Sequence, residues 1–164
     1  MADLMNTAAR SLWYILPSYV ANMTPVLLGG GKPLDLNRRF VDGRRILGEH
    51  KTVRGFLSGV ITGTLVGCLQ GRPVSGFLLA LGAMIGDAFG SFLKRRMGLK
   101  RGEPMPVLDQ LGFLAASLLL ASLIYGAPGW MRVEVILALA LITALLHVGT
   151  NAAAYLLGLK DKPY

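Results

Sequence analysis

Apolar residues run through this chain in five blocks, at about 11–30, 55–70, 74–93, 107–125 and 133–159, and most charged residues fall between them. A helix needs about 20 residues to cross the hydrocarbon core of a bilayer. The block lengths therefore predict an all-α, polytopic membrane protein with about five transmembrane helices, read as one domain over 1–164. No strand-like alternation recurs, so a membrane barrel is not expected. The second block is short, which predicts local thinning of the bilayer or a neighbour that shields its ends. Pro17, Asn22 and Pro25 interrupt the first block and predict a broken helix, whose freed backbone groups need partners.

Glycine recurs at every fourth position of the second block, at Gly55, Gly59, Gly63, Gly67 and Gly71, and again in the third at Gly82, Gly86 and Gly90. Fourfold spacing puts each set on one helical face. Such stripes let helix backbones approach closely in lipid. The three-residue connection 71–73 makes blocks two and three antiparallel neighbours, and the stripes are expected to form the seam between them.

Composition agrees with a lipid solvent. The chain is 53% hydrophobic and 16% charged, with mean hydropathy +0.53, more apolar surface than a soluble domain of this size could hide. Cys68 is the sole cysteine, which excludes an internal disulfide or a cysteine-based zinc site and reads as a small core residue. The N-terminal stretch, with Asp3 ahead of Arg10 and no clear cleavage site, does not read as a signal peptide.

Charge sets the orientation. The net charge is +8, from 17 Lys+Arg against 9 Asp+Glu. Lys32, Arg38, Arg39, Arg44, Arg45, Lys51 and Arg54 lie between blocks one and two. Lys94, Arg95, Arg96, Lys100 and Arg101 follow block three, and Lys160 and Lys162 follow block five. Only Arg10, Arg72 and Arg132 fall on the other side. Basic loops stay in the cytoplasm, so the N-terminus is expected outside and the C-terminus in the cytoplasm, with cytoplasmic loops at about 31–54 and 94–106. This charge sits in loops between membrane segments. It points to an anionic membrane surface or a phosphorylated substrate rather than to nucleic acid.

Two acids stand where lipid is expected. Asp87 lies inside block three, on one face with Ser91, Lys94 and Arg95, and Asp109 opens block four at the same edge. Intramembrane acids face a cavity and a partner. Two neighbouring carboxylates repel unless a cation lies between them, and oxygen ligands at partial burial suit Mg²⁺, which also binds phosphates. A divalent ion amid Lys94, Arg95, Arg96, Lys100 and Arg101 is the inventory for a polyphosphate. The plainer alternatives are a structural Asp–Lys or Asp–Arg pair for Asp87 and a helix cap for Asp109. The glycine-rich, basic stretch from Gly29 to Gly55 resembles a phosphate-binding stretch but is no P-loop, since Glu49 and His50 intervene between Gly48 and Lys51–Thr52 and no strand precedes; the plainer alternative is a solvated basic loop. His147, Thr150 and Asn151 share a face of block five and read as an interhelical hydrogen-bond strip. A transporter or channel for an anionic solute would also need a charged cavity, but it would show polar residues through both leaflets.

The run Gly86–Asp87–Ala88–Phe89–Gly90–Ser91–Phe92–Leu93–Lys94–Arg95, with Lys100–Arg101–Gly102 and Pro106–Val107–Leu108–Asp109–Gln110, resembles the CDP-archaeol synthase family. Asp42–Gly43–Arg44 through Gly48 to Lys51–Thr52–Val53–Arg54–Gly55, and Pro17 to Pro25, also look like this family, so the resemblance spans nearly the whole chain. It implies a CTP-dependent cytidylyltransferase that acts on 2,3-bis-geranylgeranylglycerol 1-phosphate, a prenylated glycerol phosphate lipid, with Mg²⁺. By motif, Asp87 and Asp109 would hold metal, and Lys94, Arg95 and Lys100 would hold phosphates. Ser91, Asn22, Lys51 and Arg54 fall in motif stretches as further binding residues. Asp35, Asp42 or Glu103 could complete a metal set.

Overall fold

The computed structural model describes residues 2–99, 103 and 105–159. Among these the chain forms five α-helices: α1 (Ala2–Leu28), α2 (Val53–Leu69), α3 (Pro73–Arg96), α4 (Pro106–Tyr125) and α5 (Val133–Leu156). Three of them, α3, α4 and α5, are long and apolar enough to cross a membrane. The 17-residue α2 spans roughly 26 Å at the helical rise, shorter than a typical hydrocarbon core. Thr52 starts α2 by accepting the Gly55 N–H at 3.1 Å. Gly71, at φ +71°, ends it and turns the chain directly into α3.

The prolines do not break α1, which stays helical through both. Pro17 has no N–H for the Trp13 carbonyl, and that carbonyl instead accepts from the Gln70 side chain at 2.6 Å. Pro25 likewise frees the Ala21 carbonyl, which faces Gly59 of α2. Neighbouring groups satisfy or cover the positions the prolines leave open, so a continuous helix survives.

The α2 glycines pack as a stripe against two helices at once. A Cβ added at Gly63 would lie 2.5 Å from the Ala80 Cβ and 2.6 Å from the Pro17 carbonyl oxygen, and one at Gly67 would lie 2.5 Å from the Gly76 Cα. α2 thus runs antiparallel to both α1 and α3, wedged between them. The α3 stripe has a different partner from the one expected. Gly82 and Gly86 face α4, where an added Cβ would meet the Ser117 Cα and the Ala116 Cβ, each at 2.6 Å. A glycine stripe marks a close face but does not name the helix that covers it. Here α3 presents Gly76, Ala80 and Met84 to α2 and the opposite edge to α4. Cys68 is exposed rather than core, because it lies off the buried glycine face of α2.

The core at the centre of the bundle gathers Ile15 and Ala21 of α1, Ala80, Ala83 and Met84 of α3, Phe113 and Leu114 of α4, and Val135 and Leu139 of α5. The Tyr19 and Thr143 hydroxyls hydrogen-bond at 2.6 Å and tie α5 to α1. Most large apolar residues elsewhere point outward, Leu69, Leu137 and Leu145 among them, as expected of helices whose outer solvent is lipid.

Candidate active site

The connection 29–52 folds onto one end of the bundle, and Asp35 organises it. Its buried carboxylate accepts from the Arg45 guanidinium at 2.8 Å and from the backbone N–H groups of Asn37 and Leu47 at 3.0 and 3.1 Å. Burial alone would push the Asp35 carboxyl upward. The hydrogen bonds from Arg45, Leu47 and Asn37 outweigh it and hold the group below its ordinary value. Arg45 is correspondingly raised, chiefly by its hydrogen bond to Asp35. The end of the loop is held by a short antiparallel bridge between Pro33 and Thr52, with Val53 N–H donating to the Lys32 carbonyl at 3.0 Å.

The loop then docks on the C-terminal end of α3. Arg44 donates to the carbonyls of Arg95 and Arg96 at 3.2 and 2.9 Å, in the last turn of the helix, where carbonyls lack the usual partner four residues on. Arg96 returns the contact. Its guanidinium pairs with Asp42 at 2.5 Å, donates to the Arg45 carbonyl, and lies over the Phe40 and Phe92 rings at 4.8 and 5.0 Å. α3 therefore carries Lys94, Arg95 and Arg96 as its own last turn rather than as part of a loop.

Between this loop and the helix ends lies a cavity of about 1420 Å³. Asn22, Lys51, Asp87, Ser91, Lys94 and Arg95 all line it. Two ion pairs cross the site. The Lys51 ammonium donates to Asp87, and the Lys94 ammonium donates to Asp109 at 2.5 Å and to the Glu103 carbonyl at 3.2 Å. All four groups are half-buried.

The two aspartates are thus held by different lysines. Asp87 faces the cavity. Asp109 is not part of its lining, and the oxygen that takes Lys94 also accepts the Met105 N–H at 2.9 Å, closing the start of α4. Gly82 facing Ser117 and Gly86 facing Phe113 set an antiparallel register that brings Asp109 opposite Gly90. That places Asp109 roughly 4.5 Å nearer the loop end than Asp87, at the helical rise. Arg54, on the first turn of α2, is also absent from the lining, and Lys100 lies outside the described residues. Asp35 and Asp42 are committed to Arg45 and Arg96.

Several wall residues were noted in the sequence but not assigned to the site. Arg44 and Arg45 reach the wall because the Asp42–Gly43 turn, with Gly43 at φ +75°, folds them back toward α3. His147 and Asn151, one turn apart on α5, form the far wall, while Thr150 bonds back to the Leu146 carbonyl of its own helix. The signal for the pair was their shared helical face near the basic end of the chain.

Mg²⁺ suits one or two carboxylates plus waters and phosphate oxygens. No cluster of three metal-binding side chains forms among the described residues. Asp87, half-exposed on the wall beside the Ser91 hydroxyl, is a donor set of the smaller kind and fits that demand.

A helical membrane protein with a large, basic, carboxylate-bearing cavity at one end of its bundle is the class that the fold and site define. A sequence profile described as CarS-like, CDP-archaeol synthase, matches residues 1–75 and 72–164. The CDP-archaeol synthase of Methanopyrus kandleri is 50% identical over 94% of this chain and 92% of its own length. That of Pyrococcus horikoshii is 44% identical over 98% of this chain and 99% of its own. A solved structure described as an intramembrane enzyme for archaeal membrane lipids biosynthesis superposes with a TM-score of 0.74. It shares 38% identity and covers 86% of this chain and 92% of that one. The chain belongs to the CDP-archaeol synthase family, and it is a membrane-embedded enzyme of archaeal lipid synthesis.

Proposed function

We propose that this protein transfers CMP from CTP to 2,3-bis-geranylgeranylglycerol 1-phosphate, giving unsaturated CDP-archaeol and pyrophosphate. The observation that carries the reading is the cavity itself. Lys51, Lys94, Arg95, Arg44 and Arg45 converge on it, with Asp87 among them. A transporter of anionic solutes fits less well, because the family is one of synthases and the basic residues of the cavity gather at one end of the bundle.

A phosphate oxygen of the lipid attacks the α-phosphorus of CTP. One new P–O bond forms, the bond to the bridging oxygen of the β-phosphate breaks, and pyrophosphate leaves. The attacking phosphate is already anionic near neutral pH, so no side chain need take a proton from it. The barrier lies in bringing two anions together. Lys51 and Lys94 are held at the wall by Asp87 and Asp109 before substrate arrives, so their charge needs little rearrangement to act. Arg44 and Arg45, fixed by the α3 carbonyls and by Asp35, add donors from the loop. Asp87, with Asp109 as the second carboxylate, would hold Mg²⁺. The ion would supply charge neutralisation on the phosphates of CTP. Ser91 and Asn22 offer neutral hydrogen-bonding groups on the same wall, Arg54 adds positive charge to the same end, and Lys100 is proposed as a phosphate-binding residue on its motif alone.

In this reading all five helices cross the membrane. The N-terminus is outside, the C-terminus is in the cytoplasm, and the 29–52 loop faces the cytoplasm of the cell membrane. CTP then enters from water while the lipid enters sideways from the bilayer. The test is a substrate panel: purified protein with CTP, Mg²⁺ or EDTA, and either the prenylated ether-lipid phosphate or phosphatidic acid. Product only with the ether lipid and Mg²⁺ supports the reading. Equal turnover in EDTA overturns the metal assignment, and equal use of phosphatidic acid overturns the lipid assignment.

A further inference from the structure

The opposite end of the bundle holds a second cavity, of about 490 Å³, between the α2–α3 turn and the loop that follows α4. Its polar side chains are the Arg72 guanidinium and the hydroxyls of Ser75, Tyr14 and Tyr125, and no carboxylate lines it among the described residues. Arg72 precedes α3, no side chain caps that helix, and Pro73 at its start has no N–H. Gly76 is the first residue to bond back, to the Arg72 carbonyl at 2.9 Å. The amides of Val74 and Ser75 come before that bond and belong to the donors a helix start leaves without an internal partner. Ser75 supplies an independent sign of a ligand. The residue is 8% exposed, and its Oγ is buried with no hydrogen-bond partner among the described residues. Buried hydroxyls are ordinarily paired.

Arg72 is set in place for the same cavity. Gln70, whose amide donates to the Trp13 carbonyl that Pro17 leaves free, accepts from the Arg72 guanidinium at 2.8 Å. The guanidinium lies 4.6 Å over the Tyr14 ring. Gln70 uses one of five N–H donors. Tyr14 and Tyr125 flank the cavity, and Trp130 packs edge-on against Tyr14 at 5.6 Å. Such aromatic groups sit at the headgroup level of a bilayer.

We propose that this cavity is a second anion site, separate from the CTP cavity, that takes the phosphate of a phospholipid headgroup from the leaflet at that end. The Arg72 guanidinium, the start of α3 and the Ser75 hydroxyl bind the phosphate oxygens, and the apolar walls at Pro73, Val74 and Pro128 meet the first carbons of the lipid.

Both tryptophans of the chain, Trp13 and Trp130, lie at this end, so their emission reports this cavity and not the CTP site. The test uses the Trp13→Phe protein in neutral detergent, titrated with dihexanoyl phosphatidylglycerol, with dihexanoylglycerol, and with inorganic phosphate. The expected result is a saturable change in Trp130 emission with the phospholipid and none with the phosphate-free lipid. Arg72→Gln should weaken the apparent affinity at least tenfold and Ser75→Ala several-fold, with CTP turnover unchanged. Saturation by inorganic phosphate at similar concentration would support the anion site but overturn its assignment to a lipid. No saturable change, or the same curve in both variants, overturns the site. Should Arg72→Gln fail to fold, Ser75→Ala, which removes only an unpartnered oxygen, decides the matter alone.

Discussion

The Lys51 ammonium donates to the Asp87 carboxylate, joining the end of the 29–52 loop to the body of α3 across the cavity wall. The pair is half-exposed, and ion pairs of that kind contribute little to stability. Asp87→Ala should therefore melt within a few degrees of wild type. Its turnover should fall by at least about 10²-fold, the scale seen when a preorganised charged group is removed from an active site. Pyrophosphate release and thermal unfolding in detergent measure the two effects. Wild-type turnover in that variant would contradict the role given to Asp87.

Asp109 carries two duties that one substitution separates. Asparagine in its place still offers an oxygen to the Met105 N–H but no charge to Lys94 or to a metal. Asp109→Asn should keep α4 and the melting temperature while turnover drops by about 10²-fold. If turnover stays at the wild-type rate, Asp109 is a helix cap and nothing more.

Gly63 tests the packing of α2. A methyl group there would press on the Ala80 Cβ and the Pro17 carbonyl, both under 3 Å away, and α2 cannot retreat from one without meeting the other. Gly63→Ala should cost about 1–3 kcal/mol, the range for overpacking, while Gly149→Ala, which opens onto free space, should cost nothing measurable. Melting temperatures of the two variants give the comparison directly.

What could be read from the sequence divides along physical lines. The starts and ends of α2, α4 and α5 follow the apolar runs because lipid solvation is a property of single residues. The start of α1 at Ala2 did not, since Asp3 and Arg10 break the run without breaking the helix. Pro17 and Pro25 read as interruptions because the sequence does not reveal that Gln70 and Gly59 meet the freed carbonyls. The α3 glycines announced a close face but not that α4 covers it. At the site, the closeness of Lys94 to Asp109 followed from two adjacent helix ends. Lys51 with Asp87 and Asp42 with Arg96 are partners far apart in the chain, and only the folded loop brings them together.

That loop should weaken in acid. Asp35 titrates below its ordinary value of 3.8 in the folded protein, so its contribution is complete at pH values above 3.8. It is lost as pH falls below that value toward the lower folded one. Wild type should protect the 29–52 segment from proteolysis better than Asp35→Asn at pH 7, with the difference shrinking below about pH 4. A difference that persists unchanged into stronger acid would contradict the Asp35–Arg45 account.

The transfer itself is tested most directly by the fate of label from CTP. With α-³²P-CTP, the prenylated lipid phosphate and Mg²⁺, the account predicts label in the lipid phase. With γ-³²P-CTP it predicts no label in the lipid phase, the label released by turnover appearing in aqueous pyrophosphate. Lipid labelled from the γ-position, or no lipid-phase label from either, would contradict it.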